Sequence, residues 1–314
     1  MSLRHVLRAQ QFDRPLLEQL FGRADALRAL LDDPVGRREL ADSCKGHLLF
    51  NVFYEPSTRT RMSFAAAAEL LGLQVVSTEN AREFSSAAKG ETLEDTVRVL
   101  TEYRPSVMVF RHFETGAVAR ASEVSNVPLI NAGDGRGQHP TQALLDLYTI
   151  QRERGGVDDC TVLIGGDLAN GRTARSLAYL LSKFTGVKLV FAAPAGLEVG
   201  NDLKQHLGEH GVPFTETDDV SAALPEADVV YWTRLQKERL EQELADDVWP
   251  RFVLDERSLT LLRPDAVVMH PLPRIDEITP AVDADKRAAY FRQAGNGLYV
   301  RMALIEWVLG RDLG

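Results

Sequence analysis

A chain of 314 residues with 36 Lys plus Arg against 45 Asp plus Glu, net charge −9, has no general electrostatic pull toward nucleic acid or anionic membrane, so any anion site must be local. Its 45% hydrophobic and 26% charged residues are ordinary for a globular protein and exclude a mainly disordered or fibrous one, and at roughly 150 residues per domain the length predicts two domains. Cys44 and Cys160 form neither a CxxC nor a Cys/His cluster, which excludes a disulfide framework or zinc ribbon within the chain and fits a reducing cytoplasm.

The N-terminal segment through Pro15 is polar and lacks the apolar core of a signal peptide, and no stretch approaches the ~18 apolar residues of a membrane span. A soluble, cytoplasmic protein is expected. From Leu48 onward short apolar runs alternate with helix-period segments: LLFNVFYE then MSFAAAAELLG, QVVST then ETLEDTVRVLTEY, SVMVFRH then GAVARASEVS, VPLINAG then PTQALLDLYTIQRERG. These are repeated βα units. After Gly155 and Gly156 the alternation restarts with CTVLIGG, RTARSLAYLLSKF, VKLVFAA, LEVGNDLKQHLGEHG, DVVYWTR and AVVMHPLP, which predicts a second parallel sheet. The expected fold is α/β: two doubly wound parallel-sheet lobes joined by bridging helices, one over Thr141 to Glu153, with a last helix over roughly Gly297 to Leu309.

In open parallel sheets ligands sit at the carboxyl ends of the strands, so the loops that follow strands are the places to seek chemistry. The first is Glu55-Pro56-Ser57-Thr58-Arg59-Thr60-Arg61. Ser57 or Thr58 is a natural N-cap, the first-turn N–H groups have no intrahelical partners, and Arg59 adds a planar fork suited to phosphate. A capped helix with a solvated arginine is the plain alternative. Arginines recur at strand ends, Arg111 in VFRH, Arg172 in GGDLANGRT and Arg234 in YWTRLQ, and together they imply small polyanionic ligands in an otherwise acidic protein. His139, held before Pro140, and Gln142 stand at the start of the bridging helix. They are either structural or a grip for a polarised carbonyl and an NH₂ group. In His270-Pro271-Leu272-Pro273-Arg274 the prolines leave the Pro271 and Leu272 carbonyls without local partners, able to accept from a ligand NH₂ or simply part of a rigid turn.

Two segments imitate other motifs. GGDLANG is not GxGxxG, and the next strand ends in alanines rather than an acid for a ribose, which argues against NAD. His206-Leu207-Gly208-Glu209-His210 matches HxxEH but runs straight into Gly211 without a third ligand, and reads as a helix C-terminus. No nucleophile–base arrangement and no carboxylate pair stands out.

Taken together, PSTRTR, SSAAKGET, VFRH, HPTQALLDLYT, GDLANGRT, TRLQKERL and HPLPR, in this order, resemble the aspartate branch of the aspartate/ornithine carbamoyltransferase family; the Ser-Met-Gly loop and HCLP cysteine of the ornithine branch are not found. The resemblance implies carbamoyl transfer from carbamoyl phosphate to the α-amine of L-aspartate in pyrimidine synthesis, with no metal or organic cofactor. It assigns residues 1–140, with a C-terminal helix of about 291–314 packing back on them, to carbamoyl phosphate, and residues 150–290 to L-aspartate. By motif match Ser57, Thr58, Arg59, Thr60, Ser85, Arg111, His139, Gln142, Pro271, Leu272 and Pro273 would hold carbamoyl phosphate, and Lys89, Arg172, Arg234 and Gln236 aspartate. Arg59, Thr60, Lys89, Arg111, His139 and Gln142 would serve catalysis. Ser85 and Lys89 would enter from a neighbouring subunit of a homotrimer, standing alone or joined by regulatory chains or a dihydroorotase. Glu55, Glu238 and Arg239 match the family's interdomain ion-pair positions, whereas Ala88, Ala169 and Asn170 depart from its pattern and put allosteric behaviour in question. Another amine acceptor, or an inactive carbamoyltransferase-like partner subunit, are the competing readings. A cationic acceptor would meet Arg172 and Arg234 unfavourably.

Overall fold

The computed structural model describes residues 3–84, 89–236 and 248–313. The chain divides into two compact units, Met1–Leu144 with Asn296–Gly314, and Leu145–Gly295.

In the first unit two helices precede the alternating region, α1 (Arg14–Asp32) and α2 (Pro34–Ser43). Their starts follow from capping: Asp13 accepts from the Leu16 N–H and Asp33 from the Gly36 N–H, each with a proline in the first turn. Then come β1 (Leu48–Phe53), α3 (Thr58–Leu70), β2 (Gln74–Thr78), α4 (Ala81–Phe84), α5 (Leu93–Glu102), β3 (Val107–His112), α6 (Ala117–Val124), β4 (Leu129–Asp134) and the start of α7 (Pro140–Arg154). The four strands are parallel in the order β2-β1-β3-β4. β1, β3 and β4 are covered on both faces, which is why they read as mostly apolar runs, with Asn51 and Asn131 buried among them. β2 is an exposed edge. Beyond β4 the chain pairs Val6 with Ile130, a short cover for the other edge. Phe50, Val52, Val97, Met108, Phe110 and Leu129 belong to one core cluster.

The second unit begins within α7 and holds β5 (Thr161–Gly165), α8 (Arg172–Leu181), β6 (Lys188–Ala192), α9 (Asn201–Glu209), β7 (Phe214–Thr217), α10 (Val220–Ala223), β8 (Val229–Trp232), α11 (Glu256–Leu261), β9 (Val267–Met269) and the start of α12 (Tyr290–Val308). Its five parallel strands run β7-β6-β5-β8-β9. Its core is built around Trp232, whose indole N–H donates to the Phe252 carbonyl at 2.8 Å. Gly165 pairs across the ladder with Trp232, and a Cβ there would sit 2.1 Å from the indole ring, so the strand end must be glycine.

The last helix starts at Tyr290, seven residues before the start at roughly Gly297 expected from the apolar pattern. Gly295 and Gly297 do not interrupt it. Asn296 between them accepts from Arg28 at 2.6 Å, and Glu306 further along takes a two-pronged bond from Arg23 (2.7 and 2.8 Å), so tertiary contacts outweigh glycine's low helix propensity. HxxEH lies, as expected, at the end of α9: His206 contacts the Ser182 hydroxyl at 3.1 Å and packs edge-on against Tyr179.

Candidate active site

Each sheet reverses its strand order once, between β1 and β3 in the first and between β5 and β8 in the second. Such switch points open a crevice at the carboxyl ends of the strands, and the singled-out loops sit at both.

In the first unit β1 runs into Glu55-Pro56-Ser57 and then α3. Ser57 is the N-cap residue, but its side chain makes no capping bond and the first turn carries no acidic residue, so the positive end of α3 is uncompensated. The register pairs Phe53 with Arg111, and the Tyr54 N–H donates to the Arg111 carbonyl (2.8 Å), which seats Arg111 beside this loop. The two arginines of STRTR then part company. Arg61 donates to Glu79 at 2.8 Å, whereas Arg59 is exposed and makes no ion pair or hydrogen bond among the described residues. Partial burial lowers the Arg59 pKa and the positive charge of Arg111 lowers it further. Arg111 in turn is paired with Glu55 (2.7 Å) and donates to the Ala132 carbonyl at 3.3 Å. Two arginines and one carboxylate thus gather at the start of α3, and Thr60, buried in the same helical turn, adds a neutral donor.

His139 is buried just before α7. The Gln142 N–H is shared between the His139 carbonyl (3.0 Å) and its Nδ1 (3.3 Å), a contact that favours the Nε2–H tautomer. The turn that delivers His139 is held by Asp134, whose carboxylate accepts from the N–H groups of Gly116 and Gln138, both at 2.8 Å.

In the second unit the loops after β5 and β8 are tied to each other. The buried Asp167 carboxylate accepts from the Asn170 N–H and side-chain amide and, at 3.1 Å, from the Gln236 N–H. This brings GDLANGRT beside TRLQ, with Arg172 buried at the start of α8 and Arg234 half-buried after β8. Asn170, a departure from the family pattern, is thus a loop tie. Gly166 makes the approach feasible. Its φ is +107° and a Cβ would lie 2.1 Å from the Thr233 carbonyl oxygen. Gly166→Ala is expected to destabilise the protein by about 1–3 kcal/mol through this strain and clash, read as a lower urea midpoint with an unchanged slope.

After β9, Pro271 and Leu272 are half-buried, Pro273 is exposed, and Leu272 adopts φ +52°, an uncommon conformation for a branched side chain. Lys89 is exposed. Ser85, Ala88, Glu238 and Arg239 lie outside the described residues. Glu55 is paired with Arg111 at 2.7 Å. The sequence reading passed over Asp134 and Asp167, the carboxylates that organise the loops; their only sequence signal is an aspartate at or just after a strand end, ahead of a turn. Among the described residues no group of three or more His, Cys, Asp or Glu is placed to hold a metal ion, and no helix is long and apolar enough to cross a membrane.

Two family models match the chain in succession. Residues 4–152 match the aspartate/ornithine carbamoyltransferase carbamoyl-P binding domain, and residues 158–308 the corresponding Asp/Orn binding domain. Aspartate carbamoyltransferase 1, chloroplastic, of Pisum sativum is 51% identical over 98% of this chain and 79% of its own length. The aspartate carbamoyltransferase catalytic subunit of Clostridium novyi is 42% identical over 98% of both chains. The solved catalytic subunit of M. jannaschii aspartate transcarbamoylase superposes with a TM-score of 0.89 at 38% identity, covering 98% of each chain, and aspartate transcarbamoylase from Trypanosoma cruzi in complex with N-(phosphonacetyl)-L-aspartic acid with 0.87 at 38%, covering 97% and 95%.

Proposed function

This chain belongs to the aspartate/ornithine carbamoyltransferase family, and from that premise we propose how its residues divide the work of the reaction. It is an aspartate carbamoyltransferase: the carbamoyl group of carbamoyl phosphate passes to the α-amine of L-aspartate, giving N-carbamoyl-L-aspartate and phosphate in de novo pyrimidine biosynthesis. The observation that supports the division of roles is Arg59, without an ion pair or hydrogen bond among the described residues, beside Arg111 at the start of α3, where the Ser57 side chain makes no capping bond. Positive charge and free donors there suit a phosphate.

Ser57, Thr58, Arg59, Thr60 and Arg111 hold the phosphate. Thr60, Arg111 and the Nε2–H of His139 polarise the carbonyl, and Gln142 with the Pro271 and Leu272 carbonyls holds the NH₂ group, Pro273 fixing the chain that carries them. Arg172, Arg234 and the Gln236 segment take the aspartate carboxylates. The amine attacks the carbonyl carbon, the C–N bond forms, and negative charge gathers on an oxygen already facing donors. Collapse breaks the bond to the phosphate oxygen, and the departing phosphate accepts the amine proton, so no protein base is needed. Residues 1–140 with the C-terminal helix serve carbamoyl phosphate, and 150–290 serve aspartate. Ser85 and Lys89 act on a neighbouring protomer's substrates within a homotrimer. Two buried, unbridged cysteines support a cytoplasmic setting.

Purified protein is expected to form carbamoyl-aspartate in a colorimetric assay, unaffected by EDTA, and to leave ornithine untouched. Turnover of ornithine but not aspartate would overturn the acceptor assignment. Arg234→Ala removes a charge-assisted carboxylate contact, and kcat/KM for aspartate should fall by about 1.5–3 kcal/mol in transition-state stabilisation.

A further inference from the structure

The proposed role of the Pro271 and Leu272 carbonyls depends on their aim, and the aim is held by side chains that touch no substrate. His270 and Glu277 are both fully buried. The Leu272 N–H donates to His270 Nδ1 at 2.8 Å, closing a tight turn around the φ +52° residue. A nitrogen that accepts cannot also carry the ring proton, so the proton is on Nε2, which lies 2.8 Å from Glu277 Oε1 in a close electrostatic contact, off the line of an aligned hydrogen bond. The other Glu277 oxygen accepts from the N–H groups of Ile275 (3.1 Å) and Asp276 (3.2 Å). Burial opposes the ionised form of Glu277, yet the His270 contact and the backbone N–H bonds bring its pKa below the usual carboxylate value. Behind the ring, the His270 N–H donates to Gln293 (2.9 Å), whose amide donates to Asp146 (2.6 Å), and Asp146 also accepts from the Tyr231 hydroxyl at 2.7 Å.

We propose that Glu277 and His270 are positioning residues for the donor's NH₂ group: Glu277 selects the Nε2–H tautomer of His270, the unprotonated Nδ1 fixes the Leu272 amide, and the Pro271 and Leu272 carbonyls are thereby set to accept from the carbamoyl nitrogen. The inference rests on the assignment of those carbonyls in the proposed function. It gives the site a means of telling a carbamoyl from an acetyl group, since a methyl in place of NH₂ donates nothing to the two carbonyls.

Glu277→Gln tests it, because an amide has one accepting oxygen where the carboxylate uses two. If its NH₂ faces His270, the ring is driven to the Nδ1–H tautomer and opposes the Leu272 N–H donor to donor; if it faces Ile275 and Asp276, the turn loses its acceptor. The expected result is a rise of about tenfold in KM for carbamoyl phosphate, an unchanged KM for aspartate and an unchanged inhibition constant for acetyl phosphate. Equal weakening of both acyl phosphates, a fall in kcat alone, or no change would overturn the proposal. If the variant does not fold, ¹⁵N shifts of the histidines in the wild-type protein decide: His270 as the Nε2–H tautomer supports the proposal, and an Nδ1–H tautomer or imidazolium overturns it. The tautomer is read without substrate, so its failure is distinct from failure to carbamoylate aspartate.

Discussion

Arg59→Ala should lower turnover about 10²–10³-fold or more while leaving the ligand-free protein as stable as the wild type, or more so. The two halves of this expectation come from the same observation. Arg59 is exposed, has no ion pair or hydrogen bond among the described residues, and has Arg111 for an electrostatic neighbour, so in the absence of anion its charge is disfavoured rather than used. Folding loses nothing when it is removed. The reaction loses a donor aimed at the charge that builds on the departing phosphate. Inorganic phosphate supplies an independent readout. At a concentration of 100 times its Kd it should stabilise the wild type by about 2.7 kcal/mol and the variant by far less, because only an intact site links binding to folding. A variant that melts earlier yet keeps its rate would mean that PSTRTR is an ordinary helix start. Arg61→Ala is the matched control: its guanidinium is already bound to Glu79, so turnover should change little.

What the sequence could and could not convey follows from the physics of each element. β1, β3, β4, β5 and β8 are covered on both faces and announce themselves as apolar runs. β7 is a partly exposed four-residue edge, FTET, that resembles a loop, and nothing in its pattern separates the two. α1 and α2 precede the βα alternation and went unassigned, although Asp13 and Asp33 ahead of prolines are legible starts. The motif arginines were visible because they follow strands, but which of them is unpaired was not. That Glu79, 18 positions on, binds Arg61 while Arg59 has no such partner among the described residues depends on β2 lying beside β1. Asp167 was invisible for the same reason. Asn170 lies in its own loop, but Gln236, the partner that ties the two loops, is brought to it only by the β5-β8 pairing.

Mixing inactive chains should restore activity, and the amount restored tests the proposed shared site. Lys89 is exposed, makes no ion pair or hydrogen bond among the described residues, and stands in a segment, SSAAKGE, of mostly small residues. A lysine so placed adds little to its own fold, and its charge becomes useful only where anionic substrates collect, which the proposal puts in the neighbouring protomer of a cyclic trimer. Lys89→Ala and His139→Ala homotrimers are each expected to be nearly inactive, because every site then lacks one of the two groups. After subunit exchange at equal concentrations, a complete site requires a chain with intact His139 next to one with intact Lys89. Each condition is met half the time, so about a quarter of the sites are whole and the mixture should reach about a quarter of wild-type activity. Were both groups supplied by the same chain, every chain would carry one defect and exchange could restore nothing. Mass spectrometry of the hybrids establishes that exchange has occurred, and hybrids that form but remain inactive would show that Lys89 does not act across the interface.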